Sequence, residues 1–451
     1  MQFYIIELSK YVLTVLMCTY VLTDIIALKF AENNGSSLYY VIQNLIMVLV
    51  QFYIFLVLTF VSSDYRYLFF FTFIQVFLFS TLFLVTFVYE HVNRLLLNNI
   101  CMMLGIGLSV ISRLSFDKAV RQFVISVLSV IVGMFVPFIF SKVKTFKKFT
   151  WAYALLGITM LGAVLLYSGV VHGSKISFTL FKITFQPSEF VKIIFIFFVA
   201  AALWEDSSFK RVVFTSIIAA VHVLILVASV DLGNALIFFV GYISLLFLAS
   251  RNILYLISGG LAGVAAAIFA YRNFVHVQTR FLAWMDPWTY IDSKGYQITQ
   301  SLFAIGSGSW LGMGILGGNP SSIPYVADDA IFSSICEEFG VIFGLGLVLI
   351  SLSCFATIML IALSVHDKFY QLIVYGVGVI YIFQIFLTVG GGVKFIPLTG
   401  VTYPLLSYGG SSIMTTMIMF FVVQGIYIRL MNIREKMRIK EEKQKKSAQL
   451  V

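Results

Sequence analysis

Long apolar runs, interrupted by short polar or charged stretches, organise this chain from end to end. Runs able to cross about 30 Å of hydrocarbon as helix fall at 4–23, 39–62, 67–89, 95–115, 120–140, 151–171, 188–204, 212–230, 232–250, 253–271, 332–363, 370–390 and 411–431. They predict about thirteen membrane spans in an all-α polytopic protein of the cell membrane. A transmembrane β-barrel would instead show short segments alternating apolar and polar residues. The first run has no cleavage site after it and reads as an uncleaved span.

Composition sharpens this reading. Hydrophobic residues make up 60% and charged residues 11% of the 451 positions, against roughly half and a quarter in a soluble domain. Cys18, Cys101, Cys336 and Cys354 lie in or beside apolar runs, with no CxxC pair and no Cys/His spacing, and read as packing residues. Much of the net charge of +10 lies in the tail "IREKMRIKEEKQKKSAQL", which the positive-inside rule places in the cytoplasm against anionic membrane lipids. No basic patch is interleaved with aromatics, so the charge speaks for membrane topology and no nucleic acid is expected as a partner. Counting back from the tail puts loops 141–148, 205–211, 250–252 and 366–368 inside, each with Lys or Arg. The N-terminus and the long loops 272–331 and 391–410 then lie outside. Both loops carry Gly and Pro turns among aromatic and aliphatic residues, a composition for ordered structure rather than disorder.

The densest chemistry is "SIPYVADDAIFSSICEEFG", which holds Asp328, Asp329, Glu337 and Glu338 within a chain of only 20 acids. Arg113, Lys118, Arg121, Lys175, Lys182, Arg272, Arg280, Lys294 and Lys394 add positive charge on the same side. Those cations are either ordinary loop charges or an anion site, for which Arg is suited by its bidentate geometry.

Five blocks, in order, resemble the SEDS proteins (shape, elongation, division and sporulation; the FtsW, RodA and SpoVE group). They are "FQPSEFVKIIFIFFVAAAL", "DLGNALIFFVGYISLLFLA", "RFLAWMDPW" with "GYQITQSLFAIGSGSWLGMGI", "DDAIFSSICEEFG" and "KFIPLTGVTYPLLSYGGSS". The resemblance covers roughly 95–432. It implies a ten-helix SEDS-type core at 93–432, about three extra N-terminal transmembrane helices at 1–92 and a basic cytoplasmic tail at 433–451. The extra helices carry no recognisable motif and read as peripheral to the chemistry, a docking or stabilising appendage.

The resemblance further implies a peptidoglycan glycosyltransferase that polymerises lipid II at the outer face of the membrane, releases undecaprenyl diphosphate and works with a class B penicillin-binding protein. A lipid II flippase is the alternative, and a non-catalytic scaffold a third reading. No His/Asp metal cluster is visible, no metal ligand is assigned, and a divalent cation at the pyrophosphate stays open. Asp329 occupies the acid position of the family's [NTK]DFIFA segment, with Ala330 where the family has Phe, and is the candidate general base; as a residue it could equally cap the following helix. Asp328 is the better bystander or cap. Lys175, Arg121, Arg280 and Lys394 are candidate pyrophosphate or substrate contacts. Glu189 and Lys192, three apart, share a helix face and either pair or line the site, with Ser188 as a candidate cap. Glu337 and Glu338 lie two turns into the predicted 332–363 span, one of them as a buried polar anchor. Asp231 reads as a helix-start acid and Asp286, before Pro287, as a turn residue.

Overall fold

A computed structural model describes residues 2–29, 37–143, 145–167, 177–180 and 183–448. Twelve helices among them are long and apolar enough to cross a membrane. The N-terminal three are α1 (Gln2–Lys29), α2 (Ser37–Ser62) and α3 (Arg66–Val88). There follow α4 (Arg94–Leu114), α5 (Phe116–Lys142), α6 (Thr150–Tyr167), α8 (Phe209–Ala228), α9 (Leu232–Ser250) and α10 (Ile253–Asn273). The last three are α14 (Val341–Ser364), α15 (Lys368–Gly392) and α16 (Gly410–Ala448). Between α6 and α8 lies α7 (Pro187–Leu203), 17 residues long and largely buried, at the place of the predicted run 188–204. A two-stranded hairpin, Phe178–Leu180 with Ile183–Phe185, precedes it.

The helices begin where a short polar side chain can accept from a free backbone N–H. Asn93 caps α4, Ser115 α5, Asp231 α9, Asn252 α10 and Asp367 α15. The axis of the bundle is α4, whose most apolar window is wholly buried, whereas that of α10 is 6% buried and faces outward. Around α4 pack α2, α3, α5 and α14, and the tightest neighbours α5 and α16 touch where Gly133 leaves room for the ring of Phe421.

One expectation is corrected here. The run 332–363 is not one span: it breaks into α13 (Ile331–Phe339) and α14 at Gly340. Gly340 has φ +89, and a Cβ there would lie 2.4 Å from the Trp310 carbonyl oxygen. Apolar residues continue through the break, so hydropathy could not register it. The loop 272–331 also carries two helices, α11 (Val275–Met285) and α12 (Tyr296–Gly308).

The extra N-terminal segment is built into the bundle. Asp24 on α1 is 1% exposed; its carboxylate accepts from Asn99 Nδ2 of α4 (2.8 Å) and Gln43 Nε2 of α2 (3.3 Å). At its outer end α1 meets the loop after α12. Ser9 Oγ accepts from Ile315 N at 3.1 Å, and Gly314, at φ +87, lies so close that a Cβ would be 2.4 Å from the Ile6 carbonyl oxygen. The start of α1 therefore lies at the same end as the long loops.

Candidate active site

Three segments converge at that end: α11, the stretch from α12 to α13, and the loop 393–409. Asp329 lies two residues before α13, half-buried. Gln297, on the first turn of α12, donates Nε2–H to Asp329 Oδ1 at 3.0 Å. Burial pushes the carboxyl up to about 6, against the Gln297 bond and the Arg280 charge that favour the anion, while Asp328 disfavours it. The capping reading does not hold. Ala330 occupies the N-cap of α13 and makes no side-chain capping bond, so the cap position belongs to neither Asp329 nor Asp328.

Arg280, from α11, donates Nη1–H to the Thr399 carbonyl at 3.3 Å. The next residue, Gly400, has φ +73; a methyl there would lie 3.9 Å from both Arg280 Nη2 and Asp329 Oδ2. The carboxyl and the guanidinium thus flank a bare backbone position and are coupled electrostatically without an ion pair among the described residues. Arg280 also feels Asp231. Asp231 caps α9 through Asn234 N (3.3 Å) and takes the Ser188 hydroxyl at 3.1 Å. Ser188 therefore bridges α7 to α9 rather than capping α7, whose N-cap is Gln186 with no side-chain capping bond.

Glu189 and Lys192 form an ion pair of 2.8 Å inside the bundle, at 5% and 0% side-chain exposure. Lys192 Nζ donates to Gln384 Oε1 (3.1 Å), and Gln384 Nε2 to the Thr402 carbonyl (3.0 Å). The pair thus underpins the loop containing Gly400 rather than opening onto Asp329. Burying two charges is tolerable only with such complete partnering.

The Glu337–Glu338 pair holds the glycine-rich stretch 312–319. Glu338 Oε1 accepts from Arg113 Nε (3.0 Å), Arg113 Nη2 (2.8 Å) and Leu316 N (3.1 Å). Glu337 Oε1 accepts from Asn319 N at 2.9 Å. Their carbonyls take Met313 N and Gly314 N, each at 2.9 Å. Both acids are anchors, where one was expected, and Arg113 is committed to Glu338 and the Gly318 carbonyl instead of to an external anion. Gly308 permits α12 to cross α13, since a Cβ would be 2.0 Å from the Cys336 carbonyl oxygen.

The other candidates are not gathered around Asp329. Asp286 accepts from Thr289 N (3.3 Å) and Thr289 Oγ1 (2.7 Å), bonds that hold it below the usual carboxylate range in an exposed turn. Lys394 is half-buried near Asp286, and its carbonyl takes Trp284 Nε1–H at 3.1 Å. Arg121 is exposed on α5, and its neighbour Gln122 ties that helix to Ser407 and Gly409. Lys175 lies outside the described residues. Among the described residues no group of three or more His, Cys, Asp or Glu could hold a metal ion.

Sequence reading missed Gln297 and Gly400. Both lie in quoted family blocks, but an uncharged amide and a glycine give no chemical signal by themselves. The assembled site offers a carboxyl able to change protonation near neutral pH and a fixed cation beside it. That combination suits proton abstraction next to a developing anionic leaving group.

Comparison with known proteins identifies the family and the fold. The cell cycle protein family FtsW/RodA/SpoVE matches residues 91–431. The peptidoglycan glycosyltransferase RodA of Mycobacterium tuberculosis (strain ATCC 25618 / H37Rv) is 29% identical over 374 residues, spanning 74% of this chain and 78% of that protein. A probable peptidoglycan glycosyltransferase FtsW of Aeromonas salmonicida is 32% identical over 298 residues, 64% and 75% of the two chains. Among solved structures, a chain of a peptidoglycan synthase complex coordinating polymerization and crosslinking superposes with TM-score 0.64 at 22% identity, over 74% of this chain and 97% of that one. The rod shape determining protein RodA of Thermus thermophilus gives 0.54 at 21%, over 74% and 95%. At these identities the two structures establish the fold.

Proposed function

The chain belongs to the FtsW/RodA/SpoVE family of cell cycle proteins and is a peptidoglycan glycosyltransferase of cell wall synthesis; we propose that it polymerises lipid II with Asp329 as general base. The observation that carries this reading is the Asp329 carboxyl, half-buried, held by Gln297 and set across Gly400 from Arg280. In the proposed step the Asp329 carboxylate removes the proton from the acceptor sugar hydroxyl as that oxygen bonds to the donor's anomeric carbon. The carbon–oxygen bond to the pyrophosphate breaks, and its electron pair leaves with undecaprenyl diphosphate. Arg280 stabilises that charge, and Lys394 and Arg121 attract the lipid-linked anion from further away. A positioned base contributes about 10²–10⁴-fold to such a reaction.

A class B penicillin-binding protein is the proposed partner, supplying crosslinking to the strands made here. The likeness to a chain from a peptidoglycan synthase complex supports that pairing. The test is incubation of the purified full chain, alone and with its cognate transpeptidase, with fluorescent lipid II. Elongated glycan that muramidase digestion breaks down supports polymerisation. Lipid II moved across a vesicle bilayer with no glycan made would instead favour the transporter reading.

A further inference from the structure

The helix α7 carries Glu189 near the outer loops, and its other end lies about 25 Å away by helix rise. There a cavity of about 610 Å³ opens between α6, α7 and α8. One wall is aromatic: the Trp151 and Phe214 rings meet edge to face with centroids 5.1 Å apart. The rim carries Lys148, Lys210 and Arg211. Nearby cations are already engaged; Lys147 is paired with Asp367 at 2.8 Å and lies over the Trp204 ring. Lys148 and Lys210 differ. Both are exposed, and among the described residues neither has an acidic or hydrogen-bonding partner. Arg211 is fixed by Nε–H to the Ala202 carbonyl (2.9 Å), which leaves its terminal nitrogens free of protein acceptors among the described residues. Asp206 is the single acid in the lining, and its carboxylate is occupied by Ser208 N (2.8 Å) and Ser208 Oγ (2.7 Å). The lining therefore carries an excess of two positive charges beside an apolar wall.

We propose that this cavity binds an anionic phospholipid, with its phosphate among Lys148, Lys210 and Arg211 and its glycerol and upper acyl chains against Trp151 and Phe214. The volume falls within the roughly 300–1,000 Å³ typical of small-molecule sites. The cavity lies at the end of the bundle that carries the basic tail, which is the cytoplasmic end by the positive-inside rule, and the facing leaflet is anionic. A soluble anion would match the three cations but not the aromatic wall, and a zwitterionic lipid the wall but not the charge. The site is separate from Asp329, and nothing in the argument depends on the role of that residue.

The test is native mass spectrometry of the full-length protein titrated with dioleoyl phosphatidylglycerol or dioleoyl phosphatidylcholine. A Lys148→Gln/Lys210→Gln protein is compared with a Lys436→Gln/Lys440→Gln protein, which loses equal charge from the tail. Since Lys148 and Lys210 are exposed and unpartnered, their replacement leaves the fold undisturbed. The expected result is retained phosphatidylglycerol with affinity about thirtyfold weaker in the cavity variant alone. Phosphatidylcholine should be stripped readily, and millimolar inorganic phosphate should not displace the lipid. Equal retention of both lipids, an equal loss in the tail variant, or displacement by inorganic phosphate would each overturn the proposal.

Discussion

At the scale of single residues, Asp329 makes the most specific demands. Its carboxyl is pushed up to about 6 mainly by burial. A base must be unprotonated, so polymerisation should rise with pH through a midpoint near 6 in a pH–rate profile of the purified protein. The Gln297 bond is the largest influence favouring the anion; Gln297→Leu should therefore move the midpoint to higher pH, and an unmoved midpoint would detach Gln297 from the titrating group. Stability should show the opposite sign. The folded pKa lies above the ordinary value of 3.8, so the folded state holds its proton more tightly and loses relative stability as pH rises from about 4 through about 6. In thermal unfolding above pH 7, Asp329→Asn should then be at least as stable as wild type. Glu338 is different in kind. Glu338→Gln leaves Arg113, at 15% side-chain exposure, without its counter-charge, a cost of roughly 3–5 kcal/mol. It should lower thermal stability and membrane level together with activity. A variant of normal stability would show that the pair is dispensable as an anchor.

Among the elements, the spans were legible and their joints were not. Apolar length alone locates α1 to α10, because lipid demands it of any helix that crosses. It could not find Gly340, where an apolar run bends at a positive φ, nor the bond between Arg113 and Glu338, 225 residues apart. It also gave no reason to connect α1 with the candidate active site. The structure does so: Ser9 Oγ accepts from the N–H of Ile315, a residue 0% exposed, and that stretch is in turn fixed by the Glu337 and Glu338 carbonyls. Ser9→Ala would leave a buried N–H unsatisfied, a cost of about 1–3 kcal/mol. We expect reduced polymerisation at unchanged KM, with Ser9→Thr restoring it. Full activity in a stably inserted chain lacking 1–92 would show that the contact is incidental.

For the whole molecule, the account requires one orientation. Long loops, Asp329 and the start of α1 share one end, while the loop 141–148, the cavity lined by Lys148, Lys210 and Arg211 and the tail share the other. With single cysteines at Ser309 and Ser141, both exposed, an impermeant maleimide added to intact cells should label only the first. Family blocks made the outer site legible as a list of residues, but only folding shows which of its charges act together. Arg280 joins Asp329 across Gly400, whereas Glu189, Lys192, Glu337 and Glu338 build the frame around them. The central claim is that Asp329 is the base of this assembly. Its most direct test is the initial rate of lipid II polymerisation by purified Asp329→Asn protein of verified folding and partner binding. The account predicts a loss of about 10²-fold or more; a rate near that of wild type would contradict it.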